Sequence, residues 1–225
     1  GLPEDKLQVV RNAGGIDIDA DAARRVVAGR AAREGPLRCL FMGRLDRQKG
    51  ADRLADLVVG LRGHNVPAEW RIVGRAVVET GDGARDVAGV PIEPPVYDAA
   101  DVEALLAWAD VVVIPSRFEG LPLLAHEAMA FGCVVVASDV GALSEIVQHG
   151  ETGFLLPQEA LLPAQIEVLR ELRDDRARLA RMAAAASERA LGVTWEGSLA
   201  PFADWLERRL APPEPAAAPN QAVAA

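Results

Sequence analysis

The sequence predicts an α/β protein built on a single doubly wound parallel sheet of about six strands, with helices at its C-terminal end. Short apolar, β-branched runs alternate with longer stretches of helical pattern, which is typical of successive βα units. Half of the 225 residues are hydrophobic, so a sizeable core can form. Polar, glycine-containing segments follow several predicted strands, where sheets of this kind bind their ligands.

Each predicted strand is a short run rich in Val, Ile and Leu, and most are followed by a helical stretch. The strands cover Leu37–Met42, Glu69–Val73, Val90–Ile92, Asp110–Ile114, Val134–Ala137 and Gly153–Leu156. The helices are predicted to begin near Gly50, Glu79, Asp101, Leu123, Ala142 and Glu159. The segments 43–50, 73–76 and 115–122 all fall at the carboxyl ends of strands, so we expect a ligand site there.

The last part of the chain changes in composition. From Gln158 it becomes rich in Ala, Arg and Leu, which indicates helices, and a final amphipathic segment carries Trp195, Phe202, Trp205 and Leu206. Residues 211–225 are rich in Pro and Ala without a periodic apolar face, so we predict a disordered tail. The folded domain is therefore expected to span residues 1–210.

Charge and cysteine usage exclude several classes of protein. A net charge of −9 argues against a general nucleic-acid binder, which needs a basic face. No apolar run approaches the roughly 20 residues that cross a bilayer, and residues 1–20 lack a signal-peptide pattern. Cys39 and Cys133 are too few for a disulfide framework or a zinc site. They lie in predicted strands, so we expect core thiols in a reducing compartment, the cytoplasm.

The segment 116–132, SRFEGLPLLAHEAMAFG, is the most informative part of the chain. It follows the predicted strand ADVVVI and leads into an Ala- and Met-rich helix, so Glu119 and Glu127 bracket a strand-to-helix turn. Pro122 suits the first position of that helix. The free N–H groups at a helix start bind anions, and nearby carboxylates can accept hydrogen bonds from sugar hydroxyls. A phosphate next to sugar hydroxyls is the combination found in a nucleotide sugar.

Four blocks occur in the order found in one enzyme family: FMGRLDRQKG (41–50), RIVG (71–74), ADVVVIPSRFEGLPLLAHEAMAFG (109–132) and VVVASDVGALSEIVQHGETGFLLP (134–157). With them the sequence resembles the C-terminal, donor-binding half of a GT-B glycosyltransferase of family 4, over roughly residues 1–210. The resemblance implies a Rossmann-like domain and retaining, metal-independent hexosyl transfer from a UDP- or GDP-sugar, with no cofactor. It also makes the N-terminal segment a linker followed by a first strand.

The resemblance makes Arg44 and Lys49 the clamp for the pyrophosphate, with Gly43 and Gly50 beside them. A guanidinium can bind two phosphate oxygens while an ammonium acts as a point charge. In the resemblance these cations replace the divalent metal of other transferases. No Asp-x-Asp pair lies in a suitable context. Either residue alone could equally be a solvated loop charge. Gly74 ends a strand where backbone can approach a phosphate closely.

The resemblance assigns Glu119 to the transferred sugar and Glu127 to the ribose hydroxyls. Glu127 alone could also be a helix-surface glutamate near a positive helix end. The backbone N–H groups of Gly120, Leu121 and Leu123 could hold sugar or phosphate oxygens. Tyr97 follows the third predicted strand, where this fold meets the nucleobase; it either stacks on the base or is a half-buried loop aromatic.

Several neighbouring polar residues have simpler explanations. By resemblance Ser138 and Glu145 line the same ligand site, although a helix-cap role for Ser138 or Asp139 would explain them equally well. The three histidines, His64, His126 and His149, are scattered and form neither a metal site nor a triad, so we expect structural or surface roles.

The mechanism implied by the resemblance does not use two carboxylates across one glycosidic bond. With Glu127 on the ribose, front-face substitution driven by leaving-group departure fits better, and the donor phosphate takes the acceptor proton. The acceptor-binding half is expected before residue 1 or on another chain, and any peripheral membrane association would come through it. The isolated domain should bind nucleotide and turn over little.

Two other functions stay open from the sequence. A degenerate domain would bind a nucleotide sugar or a partner protein without catalysis. A nucleotide-sugar epimerase can share the fold, but such enzymes carry more acidic and histidine groups around the sugar. The base, the sugar and the acceptor depend on loop contacts that the sequence does not specify.

Overall fold

A computed structural model describes residues 3–10, 12–14, 18–76 and 85–210 of the chain. Its centre is one seven-stranded sheet in the order β3-β4-β2-β1-β5-β6-β7. Every pairing is parallel except that of β3 with β4. The strands are β1 Leu37–Leu45, β2 Ala68–Ala76, β3 Asp86–Val87, β4 Val90–Glu93, β5 Val111–Ile114, β6 Val134–Ser138 and β7 Gly153–Leu156. The predicted α/β class and doubly wound sheet are confirmed.

Eight α-helices cover the sheet and extend the chain beyond it within the described residues. They are α1 Ala20–Arg30, α2 Ala51–Gly63, α3 Ala99–Trp108, α4 Leu123–Ala130, α5 Leu143–Ile146, α6 Leu161–Asp174, α7 Arg176–Leu191 and α8 Trp195–Leu210. Short 3₁₀ helices occupy Glu4–Lys6 and Gln158–Ala160. The helix starts predicted near Gly50, Asp101, Leu123, Ala142 and Glu159 are each met within two residues. The start predicted near Glu79 lies outside the described residues.

Two features near the N-terminus and the sheet edge differ from the prediction. The predicted first strand is wrong for the described part of residues 1–19, which contains no strand. Both edges of β1 are already paired, with β2 and β5, and the chain instead enters α1. Asp19 caps that helix, since its Oδ1 accepts N–H groups of Asp21 at 2.9 Å and Ala22 at 3.1 Å.

The seventh strand, β3, was not predicted because it contains only two residues. It forms a hairpin with β4, in which Val87 pairs with Val90 across a two-residue turn. Ala88 and Gly89 both have positive φ, 51° and 80°, as a tight hairpin turn of this hand requires.

The core lies on both faces of the central strands. β5 and β6 are buried along their whole length, and Cys39 and Cys133 are buried free thiols, as expected. Helices α3 and α4 cover one face, α2 and α6 cover the other, and α7 contributes residues to the core on both sides. A sheet covered on both faces exposes only its edges and strand ends, so the polar site must lie at an end.

At the end of the sheet where the parallel strands begin, one buried carboxylate binds several arginines. Asp110, just before β5, accepts hydrogen bonds from Arg33 at 3.0 Å and from the Arg38 backbone N–H at 3.1 Å. Arg30 and Arg176 approach it at 3.4 Å. This cluster fixes α1 and α7 to the sheet. The open end of the sheet is therefore the one at the carboxyl ends of the strands.

Helix α8 differs from the others because none of its residues is buried. Large apolar side chains along it are exposed: Trp195, Leu199, Phe202, Leu206 and Leu210. No helix among the described residues has the length and apolar character needed to cross a membrane. The tail predicted for residues 211–225 lies outside the described residues.

The close approach of β1 and β2 depends on a glycine. A Cβ on Gly74 would lie 1.8 Å from the Gly43 carbonyl oxygen, so this contact explains the glycine without a ligand. We expect Gly74→Ala to lower the free energy of unfolding by about 3 kcal/mol, because a packed backbone must separate. Urea denaturation measures the change.

The matched control is Gly29→Ala in α1, where an added Cβ meets nothing within 4 Å. That substitution should stabilise the domain by up to about 1 kcal/mol through helix propensity. Equal effects at the two positions would contradict the proposed role of the β1–β2 contact.

Candidate functional site

The two loops that carry the predicted charged residues meet at the switch point of the sheet. From β1 the chain moves outward through β2 and β4, and from β5 it moves the opposite way through β6 and β7. Loops that follow β1 and β5 therefore leave neighbouring strands at the same carboxyl-terminal edge, where such folds bind ligands. Lys49 and Glu119, 70 positions apart, meet there: Lys49 Nζ lies 2.7 Å from Oε1 and 2.9 Å from Oε2 of Glu119.

The Glu119 carboxylate is held in place on two sides. It is only 6% exposed, and the Ser116 hydroxyl donates to its Oε1 at 2.6 Å. The Lys49 ammonium supplies the second partner and the opposite charge. A buried carboxylate needs such partners, because an unpaired charge away from water is costly. The pair therefore presents one cation and one anion at a fixed position beside the strand ends.

The loop that carries Lys49 is shaped by a buried aspartate and a glycine. Asp46 Oδ1 accepts the Lys49 backbone N–H at 2.7 Å, and Asp46 O accepts the Ala51 N–H at 3.0 Å. Gly50 has φ of 76°, and a Cβ there would lie 2.3 Å from the Pro115 carbonyl oxygen. Only glycine lets this loop close against the end of β5.

Arg44 lies within β1 rather than on the following loop, where it was predicted. Its Nη2 lies 3.2 Å from Asp46 Oδ2 and 3.2 Å from Gln48 Oε1, and its side chain is more than half exposed. Gly43 precedes it, opposite Gly74 on β2. Arg44 and Lys49 thus lie on one rim, the surface formed by the carboxyl ends of β1, β2 and β5 and the loops that follow them. Each of the two cations is paired with a carboxylate of this chain.

Arg75 is a cation that sequence reasoning missed. It is the cross-strand partner of Arg44, so the two side chains leave the sheet on the same face, and it is exposed. Like charges at facing positions repel each other, and an anion between them removes that repulsion. Its position directly after Gly74 was the available clue. Arg44, Arg75 and Lys49 together suit a polyanion.

The turn before α4 places backbone N–H groups at the same edge. Leu123 begins the helix as predicted, but Pro122 is the N-cap residue instead of the first helical residue, and no side chain caps this end. Gly120 and Leu121 lie in the turn. The Gly120 carbonyl accepts the Ala142 N–H at 2.9 Å, which fixes the turn against the loop after β6. A helix start of this kind favours an anion.

Glu127 lies one turn into α4 and is buried, with 7% of its surface exposed. The alternative of a helix-surface glutamate is therefore wrong. Tyr97 lies in the loop between β4 and α3 and is 88% exposed, so the half-buried alternative is wrong for this residue too. An exposed aromatic ring at the site edge is available for stacking. Ser138 is buried at the end of β6.

Comparison with known proteins identifies the family. The sequence model described as "Glycosyl transferases group 1" matches residues 36–175. The chain belongs to the group 1 glycosyltransferases. The matched range includes Gly43, Arg44, Lys49, Gly74, Tyr97, Glu119, Gly120, Leu121, Leu123 and Glu127.

Two curated relatives are similar to this chain over most of its length. Glycogen synthase of Mycobacterium tuberculosis is 33% identical over 84% of this chain and 44% of its own. D-inositol 3-phosphate glycosyltransferase of Arthrobacter sp. is 33% identical over 74% of this chain and 41% of its own. The chain spans less than half the length of these relatives.

Solved structures share the fold. HepE from Anabaena, determined in complex with UDP, aligns with 89% of this chain and 57% of its own at a TM-score of 0.68 and 22% identity. The C-terminal domain of the group 1 glycosyltransferase LpcC from Francisella tularensis aligns with 78% of this chain and 97% of its own, at a TM-score of 0.59 and 21% identity.

Other polar features of this domain lie apart from the Lys49–Glu119 pair. A cavity of about 580 Å³ between α4, α5 and α7 is lined by His126, Glu145, Glu188 and Arg189, among others. His149 Nδ1 lies 2.9 Å from the Leu155 carbonyl oxygen, a structural contact. Across the described ranges, no three His, Cys, Asp or Glu residues are grouped so as to hold a metal ion.

We expect His126 to make the stability of the domain depend on pH. Burial lowers the pKa of His126, and the Ala190 backbone opposes that change. The unfolded chain therefore takes up the proton first as pH falls. We expect the free energy of unfolding to have its full value above about pH 6.5, the pKa of a histidine in the unfolded chain. It should decrease as the pH falls from there to the folded-state pKa.

Urea denaturation across that pH range, compared with His126→Gln, measures this contribution. The variant should lose the pH dependence due to His126, whereas His64→Gln, at the exposed end of α2, should keep it. Identical pH profiles for the wild type and His126→Gln would show that this histidine does not contribute.

Proposed function

We propose that this chain is the C-terminal, donor-binding half of a retaining GT-B glycosyltransferase of the family 4 type. Its parent would transfer a hexose from a UDP- or GDP-sugar to an acceptor. The Lys49–Glu119 pair at the switch point is the observation that carries the proposal. It puts a cation suited to a departing phosphate in contact with a carboxylate suited to sugar hydroxyls.

The donor is assigned to the rim in three parts. The diphosphate lies against Arg44, Lys49 and the start of α4, where two cations and free N–H groups meet a dianion. Glu127 accepts hydrogen bonds from the ribose, and the Tyr97 ring stacks on the base. The UDP complex of HepE, a protein with the same fold, supports a nucleotide in this family of domains.

The transferred sugar is assigned to Glu119, with the backbone of Gly120, Leu121 and Leu123 nearby. Glu119 already accepts hydrogen bonds from Lys49 and Ser116, which makes it a poor nucleophile. That arrangement favours front-face substitution, in which the donor phosphate takes the acceptor proton as the glycosidic bond breaks. Arg44 and Lys49 neutralise the leaving diphosphate, so the proposed reaction is metal-independent.

The proposed enzyme is completed by an acceptor-binding half, on the same parent chain or on another. The chain spans less than half of its curated relatives, and 97% of the LpcC C-terminal domain aligns with it. Helix α8 supports this arrangement because its apolar side chains are exposed on the described domain. We propose residues 1–210 as the donor domain, located in the cytoplasm and nearly inactive alone.

The alternative is a degenerate domain that binds a nucleotide sugar or a partner protein without catalysis. It shares the binding site and differs only in whether Glu119 is needed for turnover. Nucleotide binding tests what the two proposals have in common, and turnover by the parent separates them.

Calorimetric titration with UDP, GDP and ADP tests the site on this chain. We expect saturable binding of one diphosphate, unchanged by EDTA. Lys49→Ala should weaken it at least about tenfold, since a charge-assisted phosphate contact is lost. Lys6→Ala is the matched control, because Lys6 and Lys49 are the two lysines of the chain and Lys6 is exposed in the 3₁₀ helix Glu4–Lys6.

Urea denaturation of Lys49→Ala must accompany the titration, because the variant leaves Glu119 without its ammonium partner. A folded Lys49→Ala domain that binds the diphosphate as tightly as the wild type would contradict the assigned site. So would wild-type protein that binds none of the three diphosphates.

Glu119→Gln in the full-length parent distinguishes catalysis from binding alone. We expect a loss of about 100-fold or more in kcat, because a group positioned on the transferred sugar acts in the transition state. Nuclear magnetic resonance of the wild-type product should show retained anomeric configuration. Full activity in the variant would favour the degenerate domain, and an inverted product would refute the retaining mechanism.

A further inference from the structure

We propose that Arg117 and Asp52 form a positioning pair. It keeps the Lys49 ammonium in contact with the Glu119 carboxylate, at the place where Lys49 is proposed to bind the diphosphate. The inference rests on the proposed donor site, because it concerns how that site is kept in shape. Neither residue touches the assigned donor positions. Asp52 lies at the start of α2, directly after the loop that carries Lys49, and Arg117 lies on the loop after β5, which carries Glu119.

The contact between Arg117 and Asp52 is a two-pronged ion pair. Nη1 and Nη2 of Arg117 each donate to a different oxygen of Asp52, both at 2.7 Å. Nη1 also donates to the Arg47 carbonyl at 2.8 Å, and the Arg117 backbone N–H donates to the Gln48 carbonyl at 2.8 Å. Residues on both sides of Lys49 are therefore bound to the residue two positions before Glu119.

A second arginine ties the same loops from the other side. Arg53 Nη1 donates to the carbonyls of Pro115 at 3.2 Å and Ser116 at 3.3 Å, and its Nη2 donates to Gln158 Oε1 at 2.9 Å. Gln158 Nε2 approaches the Arg117 carbonyl at 3.5 Å. The loop after β5 thus has hydrogen bonds to α2 through both arginines, and its position follows that of α2.

Exposure argues that this ion pair positions the loops more than it stabilises the fold. The side chains of Arg117 and Asp52 are 30% and 55% exposed, and exposed pairs contribute little to stability. The Arg117 guanidinium nevertheless hydrogen-bonds both oxygens of Asp52, and this contact lowers the pKa of that carboxyl group. Because a planar fork meets both oxygens, the pair fixes direction as well as distance.

The chain offers a measurement of the Lys49–Glu119 contact that needs no ligand. Lys49 and Lys6 are its two lysines, so the acetylation rate of each, measured by peptide mass spectrometry, reports Lys49 against an internal reference. Wild-type Lys49 should react more slowly than Lys6, because it is ion-paired and its side chain is only 27% exposed. Arg117→Gln and Asp52→Asn should each raise the Lys49 rate toward that of Lys6.

UDP affinity gives the functional readout. Each single variant should bind UDP about tenfold more weakly, because misplaced groups lose much of their effect. The exchanged pair Arg117→Asp with Asp52→Arg should recover part of both the affinity and the Lys49 protection. The free energy of unfolding should change little. Arg24→Gln is the matched control, since Arg24 forms an exposed ion pair with Asp21 on α1.

The outcomes separate the two proposals. Wild-type protein that binds none of UDP, GDP and ADP would refute the donor site, while the acetylation rates would still test the positioning pair. Unchanged Lys49 acetylation in folded Arg117→Gln and Asp52→Asn would overturn the positioning role. So would unchanged UDP affinity in those variants, provided that the wild type binds.

Discussion

The ion pair between Lys49 and Glu119 is the interaction on which the rest of the site depends. It requires that the loops after β1 and β5 touch, and these strands are neighbours only because the sheet reverses its winding direction between them. Gly50 meets this requirement on one loop, since a Cβ there would clash with Pro115. Gly141, on the loop after β6, allows a second close approach, because a Cβ there would lie 2.1 Å from the Glu119 carbonyl oxygen.

The charge arrangement explains how an acidic protein can hold a polyanion. The chain carries a net charge of −9, yet Arg44, Lys49 and Arg75 share one rim. Arg44 contacts Asp46 and Lys49 contacts Glu119, so two cations are held by internal carboxylates before any ligand arrives. In our account the diphosphate joins or replaces these partners. The cations are thus positioned in advance, which reduces the reorganisation that binding requires.

The sequence allowed the parallel sheet and the composition of the rim to be predicted, because both depend on local patterns. Buried strands read as apolar runs, and Leu123 was correctly placed at a helix start. The contacts of the rim depend on packing between distant segments. Nothing in the sequence indicates that Arg117 meets Asp52, 65 positions away, or that Arg75 faces Arg44. The predicted N-terminal strand is wrong because residues 6–10 are exposed and bury no apolar face against the sheet.

A crystal structure of this chain with UDP tests the central claim most directly. The account predicts the β-phosphate at the carboxyl ends of β1 and β5, with an oxygen roughly 2.7–3.2 Å from Lys49 Nζ and the ribose beside Glu127. The cavity bordered by His126 and α7 should be empty of nucleotide. UDP bound in that cavity, with the Lys49–Glu119 pair untouched, would contradict the account.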